Sequence, residues 1–430
     1  MSRRLRALWF VLALPLAAAV GACTEDLQTG DACPLLCPNQ QVEVRDTIID
    51  NIVVLDSSLI GFPFQGSEEP LVLAKLGDSL DVRPVVRFDT LTRTFLPTGT
   101  ATPETITDLD SAFVDIFLKA TKVPTPAQWF IDIYNVWDST LVDTLPRDLI
   151  PLFAPANLMG TYEGDSSFSD TLRVRIPIDT AYLRELLATP DRRLRIGFQV
   201  RSAEPVMFLM NSFEAGNGAT LAYKIITADS LVPPLRTSQP TSLTPAAPLQ
   251  FAGDLLDFQV VVSAPDHNAL GTFFVGGLPG SRAYLRFELP AWVTDSVGLL
   301  RAELLLSQFP TFGPQSSDSL LMDSHLIVAN ATVPNLFRAA TLLSPAGVFA
   351  PSVRLLPSES RTVSININTF VRQWNTNNTA RALPTAMILR SNVEGATAAG
   401  VRFFGTEAVD PALRPRLRLS YTPGSILGRP

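Results

Sequence analysis

Few side chains in this 430-residue sequence have the reactivity or geometry for chemistry near neutral pH. Only His267 and His325 could act as neutral-pH bases, and His267 lies in the turn-like run "APDHNAL" (264–270). No Gly-x-Ser-x-Gly elbow, His-Glu-x-x-His pair or phosphate-binding glycine loop is present, so the usual hydrolase, zinc-protease and nucleotide signatures are missing. The 41 acidic residues could supply a carboxylate pair, but solvated strand faces and turn caps account for such residues equally well. No catalytic residue is therefore assigned, and no enzyme activity is expected.

Cys33 and Cys37 in "DACPLLCP" (31–38) lack the nearby histidines needed to complete a zinc site. Their flanking prolines argue against a redox helix, which leaves a short disulfide staple in an oxidising compartment. "GDSLD" (77–81) and "DTIIDN" (46–51) offer oxygens for a structural Ca²⁺, without the spacing of an EF-hand loop. No other cofactor is expected. For a sugar, the useful groups would be aromatic platforms: Trp129, Trp137, Trp292 and Trp374 follow the N-terminal segment. Trp292 in "LPAWVTDS" (289–296) follows a strand-like run. Trp374 ends a helix-like turn before the polar "NTNNT" (375–379). Trp292 and Trp374 are the candidate ligand-binding residues, with core packing as the alternative for Trp374.

The elements that must carry these residues read as strands. "SRAYLRFELP" (281–290), "RAELLLSQF" (301–309) and "RPRLRLSYTP" (414–423) alternate apolar with polar side chains, as half-buried strands do. "DTAYLRELLA" (179–188) is the best helix, with Asp179 or Thr180 as its cap. The 35 prolines fall largely between strand-like runs. Many short strands with frequent turns predict an all-β sandwich or barrel.

The Pro-rich stretch "DSLVPPLRTSQPTSLTPAAPLQ" (229–250) reads as a linker, and its flanks look like copies of one another. "VVRFD" (85–89) answers "YLRFE" (284–288), and "SAFVDIFL" (111–118) answers "RAELLLSQ" (301–308). "VRIPIDTAYL" (174–183) answers "VSININTFVR" (363–372), and "RIGFQVRS" (195–202) answers "TAMILRS" (385–391). Finally "VMFLMNSFEA" (206–215) answers "VRFFGTEA" (401–408). Five segments in one order predict a duplicated domain.

The second copy resembles the extracellular β-sandwich modules called DNRLRE domains, relatives of carbohydrate-binding jelly rolls. The resemblance is carried by Leu285 to Glu288, Ala302 to Leu306, Val363 to Trp374, Arg390-Ser391, Phe403 to Glu407, and Arg414 to Leu417 with Tyr421. It covers about 250–422 and, more faintly, about 47–226. Glu288 stands where the family has Asp, and the first copy lacks an equivalent of Trp374. The resemblance implies two tandem jelly-roll-like β-sandwiches and leaves the ligand open.

The N-terminus has the order of a secretory signal: Arg3, Arg4 and Arg6, then the apolar run 7–20, then small residues. "VGAC" (20–23) resembles the lipobox of bacterial lipoproteins, which implies lipidation of Cys23 as the mature N-terminus. An ordinary signal with an incidental cysteine is the alternative. Two or more acyl chains anchor stably where one does not. Thr24 instead of Asp favours the outer membrane, facing either the periplasm or the cell surface.

The expected plan is therefore a lipoprotein signal peptide (1–22), a lipidated tether (23–45), a first β-sandwich (46–228), the linker (229–250) and a second β-sandwich (251–423). Net charge is −7 and only four of the 34 basic residues are Lys. With no basic block, nucleic acid is not an expected partner. Expected partners are the membrane, through the anchor, and a polysaccharide or envelope proteins. A sugar binder should expose aromatics beside polar groups, whereas a structural protein should expose an apolar patch or sheet edge.

Overall fold

The computed structural model describes residues 44–138, 146–189, 193–229, 232, 235–241, 256–264, 269–295, 297–312, 315–327, 349–374 and 385–423. Cys23, Cys33, Cys37 and His267, with the signal and tether residues 23–43, lie outside the described residues, and the end of the expected tether enters β1 at Arg45.

The chain is all-β, with two large antiparallel sheets that each curl around a core. Its first strands are β1 (Arg45–Ile49), β2 (Val53–Phe62), β3 (Leu71–Leu76), β4 (Leu80–Phe88), β5 (Thr94–Phe95), β6 (Glu104–Thr105), β7 (Leu109–Ala120) and β8 (Gln128–Asn135). Next come β9 (Leu158–Asp165), β10 (Thr171–Pro177), helix α1 (Thr180–Ala188), β11 (Leu194–Arg201), β12 (Val206–Met210), β13 (Thr220–Ile225), β14 (Leu235–Ser238) and β15 (Asp257–Ser263). The remainder is β16 (Thr272–Gly276), β17 (Gly280–Phe287), α2 (Ala291–Asp295), β18 (Val297–Phe309), β19 (Leu320–Leu326) and β20 (Phe349–Leu355). It ends with β21 (Thr362–Asn366), α3 (Asn368–Trp374), β22 (Ala386–Ser391), β23 (Gly400–Phe404) and β24 (Arg416–Pro423).

One sheet runs β14-β13-β7-β12-β3-β4-β11-β8-β9, the other β1-β24-β18-β23-β16-β17-β22-β19-β20. The two orders correspond position by position, and the five matched sequence segments fall on corresponding elements. The alternation read from sequence is what folds them. Val114, Ile116 and Leu118 of β7 point into the first core with Trp129, Phe198 and Phe208, while Leu304 and Leu306 of β18 enter the second with Phe287 and Phe403. Fully burying one such aliphatic side chain stabilises by about 1.5–3 kcal/mol. Leu183, Leu186 and Leu187 of α1, capped by Asp179, cover the first core; Phe370 and Val371 of α3 cover the second.

The sheets do not divide at the expected boundaries. β2 pairs with β17 along its length, and β15 pairs with β4, so each sheet takes a strand from the far side of the sequence boundary. The first sandwich is thus built from β3 to β15, and the second from β16 to β24 closed by β1 and β2. The stretch read as a linker contributes β14, which pairs with β13, and Thr241, whose N–H donates to Arg87 O at 2.9 Å. Pro240 follows this short edge strand, where a missing N–H costs no ladder bond.

Hairpin geometry explains why a strand can enter. β3 and β4 pair only from Ala74↔Val82 to Leu76↔Leu80, and β16 and β17 only at Gly276↔Ser281. Beyond those points the arms diverge, through turns that need positive φ at Gly77 in one and at Gly276 and Gly277 in the other. The incoming strand also satisfies the opposite arm. Val72 N–H donates to Gln259 Oε1 of β15 at 3.0 Å, and Phe274 N–H donates to Ser58 Oγ of β2 at 2.8 Å.

Candidate functional site

Arginine is the commonest cation here because of how it is used. Guanidinium groups are held between a carboxylate and an aromatic ring, a fit that planar, always-charged Arg makes and Lys does not. Arg83 pairs with Asp81 at 2.8 Å and lies over Phe153; Arg282 pairs with Glu394 and lies over Phe62. Arg195 lies over Trp137 near Asp89, and its own pKa is lowered to about 10 by burial and by neighbouring Arg87.

One of these arrangements opens on a groove. β8 reads "QWFIDIYN", with Trp129, Ile131 and Ile133 facing the core and Phe130, Asp132 and Tyr134 on the other face. β11 lies beside it with Arg201 opposite Phe130 and Gln199 opposite Asp132. Arg201 sits 5.0 Å over the Phe130 ring and gives its Nε and Nη2 to the Asp132 carboxylate. Thr161 Oγ1 donates to the same carboxylate at 2.8 Å and Tyr134 OH at 3.4 Å. Burial pushes the Asp132 carboxyl up, but the bonds from Arg201 and Thr161 outweigh it and hold it below the usual carboxylate range. Asp132 stays ionised and Arg201 stays fixed.

The groove has a volume of about 410 Å³ and is lined by Pro126, Gln128, Phe130, Arg201, Ser202 and Glu204, with Ala127 and Ala203 between them. Gln128 Nε2 donates to Glu163 Oε1 at 2.6 Å, and Ser202 Oγ donates to Gln128 O at 3.2 Å. A groove whose base is the Arg201 guanidinium held over Phe130, with amide, hydroxyl and carboxylate groups around it, suits a polyhydroxylated ligand that hydrogen-bonds to the guanidinium and the rim. A second cavity, about 390 Å³, lies where the sandwiches meet. It is lined by Val123, Pro124 and Pro205 with the Lys122–Asp318 ion pair at 3.3 Å, and its walls are mainly apolar.

The tryptophans singled out by sequence lie elsewhere. Trp374 is half-buried, its ring 5.1 Å from Phe287 and 6.2 Å from Phe370 against the second core. Trp292 is 38% exposed and its ring is 5.2 Å from Tyr421, tilted by 48°, so the pair makes an aromatic corner and not a flat platform. Trp129 is fully buried. Gln128, Phe130, Arg201 and Glu204 were not singled out. The signal for Phe130 was there, in the outward half of the β8 alternation.

His325 is the counterpart of Asp132. It accepts a hydrogen bond from Arg390 Nε at 3.1 Å, and burial, then Arg390, lower its pKa to about 4. It is a neutral acceptor at pH 7. Two carboxyls are shifted the other way. Burial raises Glu68 to about 8, and burial with nearby Glu214 raises Asp257 to about 7. Both are buried and line neither cavity. Glu68 takes N–H bonds from Gly66 at 2.6 Å and Ser67 at 3.0 Å, and Asp257 takes one from Phe213 at 2.7 Å. They fasten the chain where it crosses between sheets.

Of the oxygens considered for calcium, those of Asp81 are paired with Arg83 and Lys75, and Asp46 accepts from Ser420. Among the described residues no group of three or more His, Cys, Asp or Glu is placed to hold a metal ion, and no helix is long and apolar enough to cross a membrane.

No protein-family model and no curated protein matches this chain. Among solved structures it is similar to a Parabacteroides distasonis protein described as secreted, at 8% identity over 87% of this chain and 99% of that one, with a TM-score of 0.23. It is also similar to a tandem of two CBM22 carbohydrate-binding modules from Paenibacillus barcinonensis (9% identity, 86% and 97% covered, TM-score 0.16). The cowpea mosaic virus empty particle is a third (9% identity, 92% and 97% covered, TM-score 0.17). Scores this low carry no information about activity.

Proposed function

We propose that this is a non-catalytic, lipid-anchored cell-envelope protein that binds polysaccharide in the groove over Phe130. The observation that carries this reading is the fixed set Phe130, Arg201, Asp132 and Thr161 beside Gln128 and Glu204. Its polar groups are held in place before a ligand arrives, so little side-chain freedom is lost on binding. The non-catalytic part of this reading is supported by where the titratable groups sit, since neither cavity is lined by Glu68, Asp257 or His325. Asp132 is held ionised, His325 is held neutral, and the two carboxyls with raised pKa are buried under backbone N–H donors. Anchoring through Cys23 rests on the sequence resemblance.

Affinity electrophoresis of the full chain in non-ionic detergent, through gels containing a panel of polysaccharides, tests this. Retardation by one glycan that is lost in Phe130→Ala and Arg201→Gln, but kept in Trp292→Ala, is the expected result. Free migration in every gel would move the assignment to a structural or protein-binding role. That second reading has its own support: Phe312 is 78% exposed, and Phe309, at 36%, stands edge-on to Phe404 at 5.4 Å.

A further inference from the structure

The outer faces of the two sandwiches each carry a second arginine arrangement, away from the groove. On the first, β10 runs beside β7 with Arg173 opposite Phe117 and Arg175 opposite Asp115. Asp115 is nearly buried and receives Arg173 Nη2 at 2.7 Å and Arg175 Nε at 2.9 Å. Burial pushes the Asp115 carboxyl up, but the two arginines outweigh it and keep it below the usual range. Arg175 also lies 3.9 Å over Phe113, and Arg173 5.8 Å over Phe117. Both guanidiniums are held from beneath while 57% of each side chain stays exposed. Lys119 is exposed two residues beyond Phe117 on the same strand.

The second sandwich repeats the theme on β18 and β24. Glu303 of β18, nearly buried, is bracketed by Arg301 and by Arg418 Nη1 at 3.5 Å, with those arginine side chains 60% and 47% exposed. Arg416 stands two residues from Arg418 on β24 and is half-buried. Each face therefore sets two arginines around one buried carboxylate, with a further cation, Lys119 or Arg416, along the same strands, in a chain whose net charge is −7. Lys224–Asp110 on the first face is a self-neutralised pair, and Asp46 at the margin of the second is hydrogen-bonded to Ser420.

We infer that these two faces bind an acidic polysaccharide, through its carboxylate or sulfate groups. A buried carboxylate that fixes two exposed guanidiniums leaves Arg173 Nε and Nη1 and Arg175 Nη1 for a ligand anion, and Arg binds such groups through paired N–H donors. Arg173 and Arg175 are spaced about 6.6 Å along a flat strand, which suits a repeating chain of anions better than a single small one. Duplication of the face supports a polymer, since two weak sites on one body reinforce each other when one chain reaches both. Nucleic acid fits less well, because the Phe113 and Phe117 rings that could stack bases lie under guanidiniums. This inference is independent of the groove.

The test is retardation of the full chain in gels containing polygalacturonate, its methyl ester, dextran sulfate, dextran or double-stranded DNA, over a range of salt. The expected result is retardation by polygalacturonate or dextran sulfate that weakens steeply with salt and is absent for the methyl ester and dextran. Arg173→Gln with Arg175→Gln, and separately Arg301→Gln with Arg418→Gln, should each weaken it about tenfold, and all four together by more than either pair. Lys119→Gln leaves the Asp115 clamp intact and should weaken it about two- to threefold, which keeps the test valid if the arginine variants misfold. No retardation by either polyanion at low salt, unchanged retardation in the four-fold variant, or equal retardation by DNA through the same arginines would each overturn the inference.

Discussion

Asp56 and Asp257 occupy the same place on the two crossing strands, opposite Leu285 of β17 and Val86 of β4. Each accepts a backbone N–H just past the matching strand, from Thr406 after β23 and from Phe213 after β12. Burial, with the nearby carboxylate of Glu214, raises the Asp257 pKa to about 7. A contrast between the two sandwiches lies one strand away, where Arg201 meets a carboxylate, Asp132, and Arg390 meets an imidazole, His325. The two sandwiches share the positions that hold the backbone together and differ in the charge placed on them. The first sandwich concentrates the buried charge, with Arg87, Arg195, Asp89 and Asp257 all nearly inaccessible.

The largest effect should come from removing what closes the second sandwich. A chain beginning at Phe64, without β1 and β2, leaves the inward edge of β17 without its ladder partner. Calorimetry should show loss of the second sandwich's cooperative unfolding, with the first retained, and a peptide of residues 45–62 should restore it. Survival of both transitions without the peptide would show that closure is dispensable.

Truncation of the two core tryptophans comes next. Trp129 is fully buried against Phe208 at 4.7 Å and donates to Asp165 O, so Trp129→Ala should cost about 3–5 kcal/mol in denaturant melts. Trp374→Ala, at a half-buried site, should cost about 1–2 kcal/mol. Equal losses would erase that difference between the cores.

Asp257 adds a pH dependence to the first sandwich. With its pKa raised to about 7, Asp257 keeps its proton when folded but loses it in the ordinary carboxylate range when unfolded. Stability attached to this group is therefore full at low pH and falls as pH rises from about 4 through 7. Asp257→Asn should flatten that part of a Tm-against-pH profile, leaving the parallel fall from Glu68 up to about pH 8. The smallest effect at neutral pH is at His325. With its pKa lowered to about 4 from an ordinary imidazole value of 6.5, it binds fewer protons folded than unfolded and costs stability as pH falls below about 7, so His325→Gln should remove that fall and leave the profile above about pH 7.5 unchanged. A change there would mean that the imidazole carries charge beside Arg390.

Much of this architecture was legible in the sequence. Alternation in 281–290 and 301–309 gave the strands, the five matched segments gave corresponding elements, and the cap at Asp179 gave α1. The crossing of β2 and β15 was not legible, because alternation says which side of a strand is buried and nothing about which edge it will meet. The groove was hidden for a related reason. Arg201-Ser202 was visible as part of a repeated segment, but its bearing on Phe130 depends on the β11–β8 register, which pairs residues 71 positions apart. Attention to tryptophan pointed to Trp374, whose ring fills space between Phe287 and Phe370.

The closure of the second sandwich by β1 and β2 also sets how the molecule would carry tension. β1 lies beside β24, so the first and last described strands are neighbours. A pull on the chain ahead of Asp46 arrives at β1 and β2 and must shear the β2–β17 ladder before any load reaches β3. The half of the protein made last is the half that bears force first, and the first sandwich is shielded until that ladder gives way.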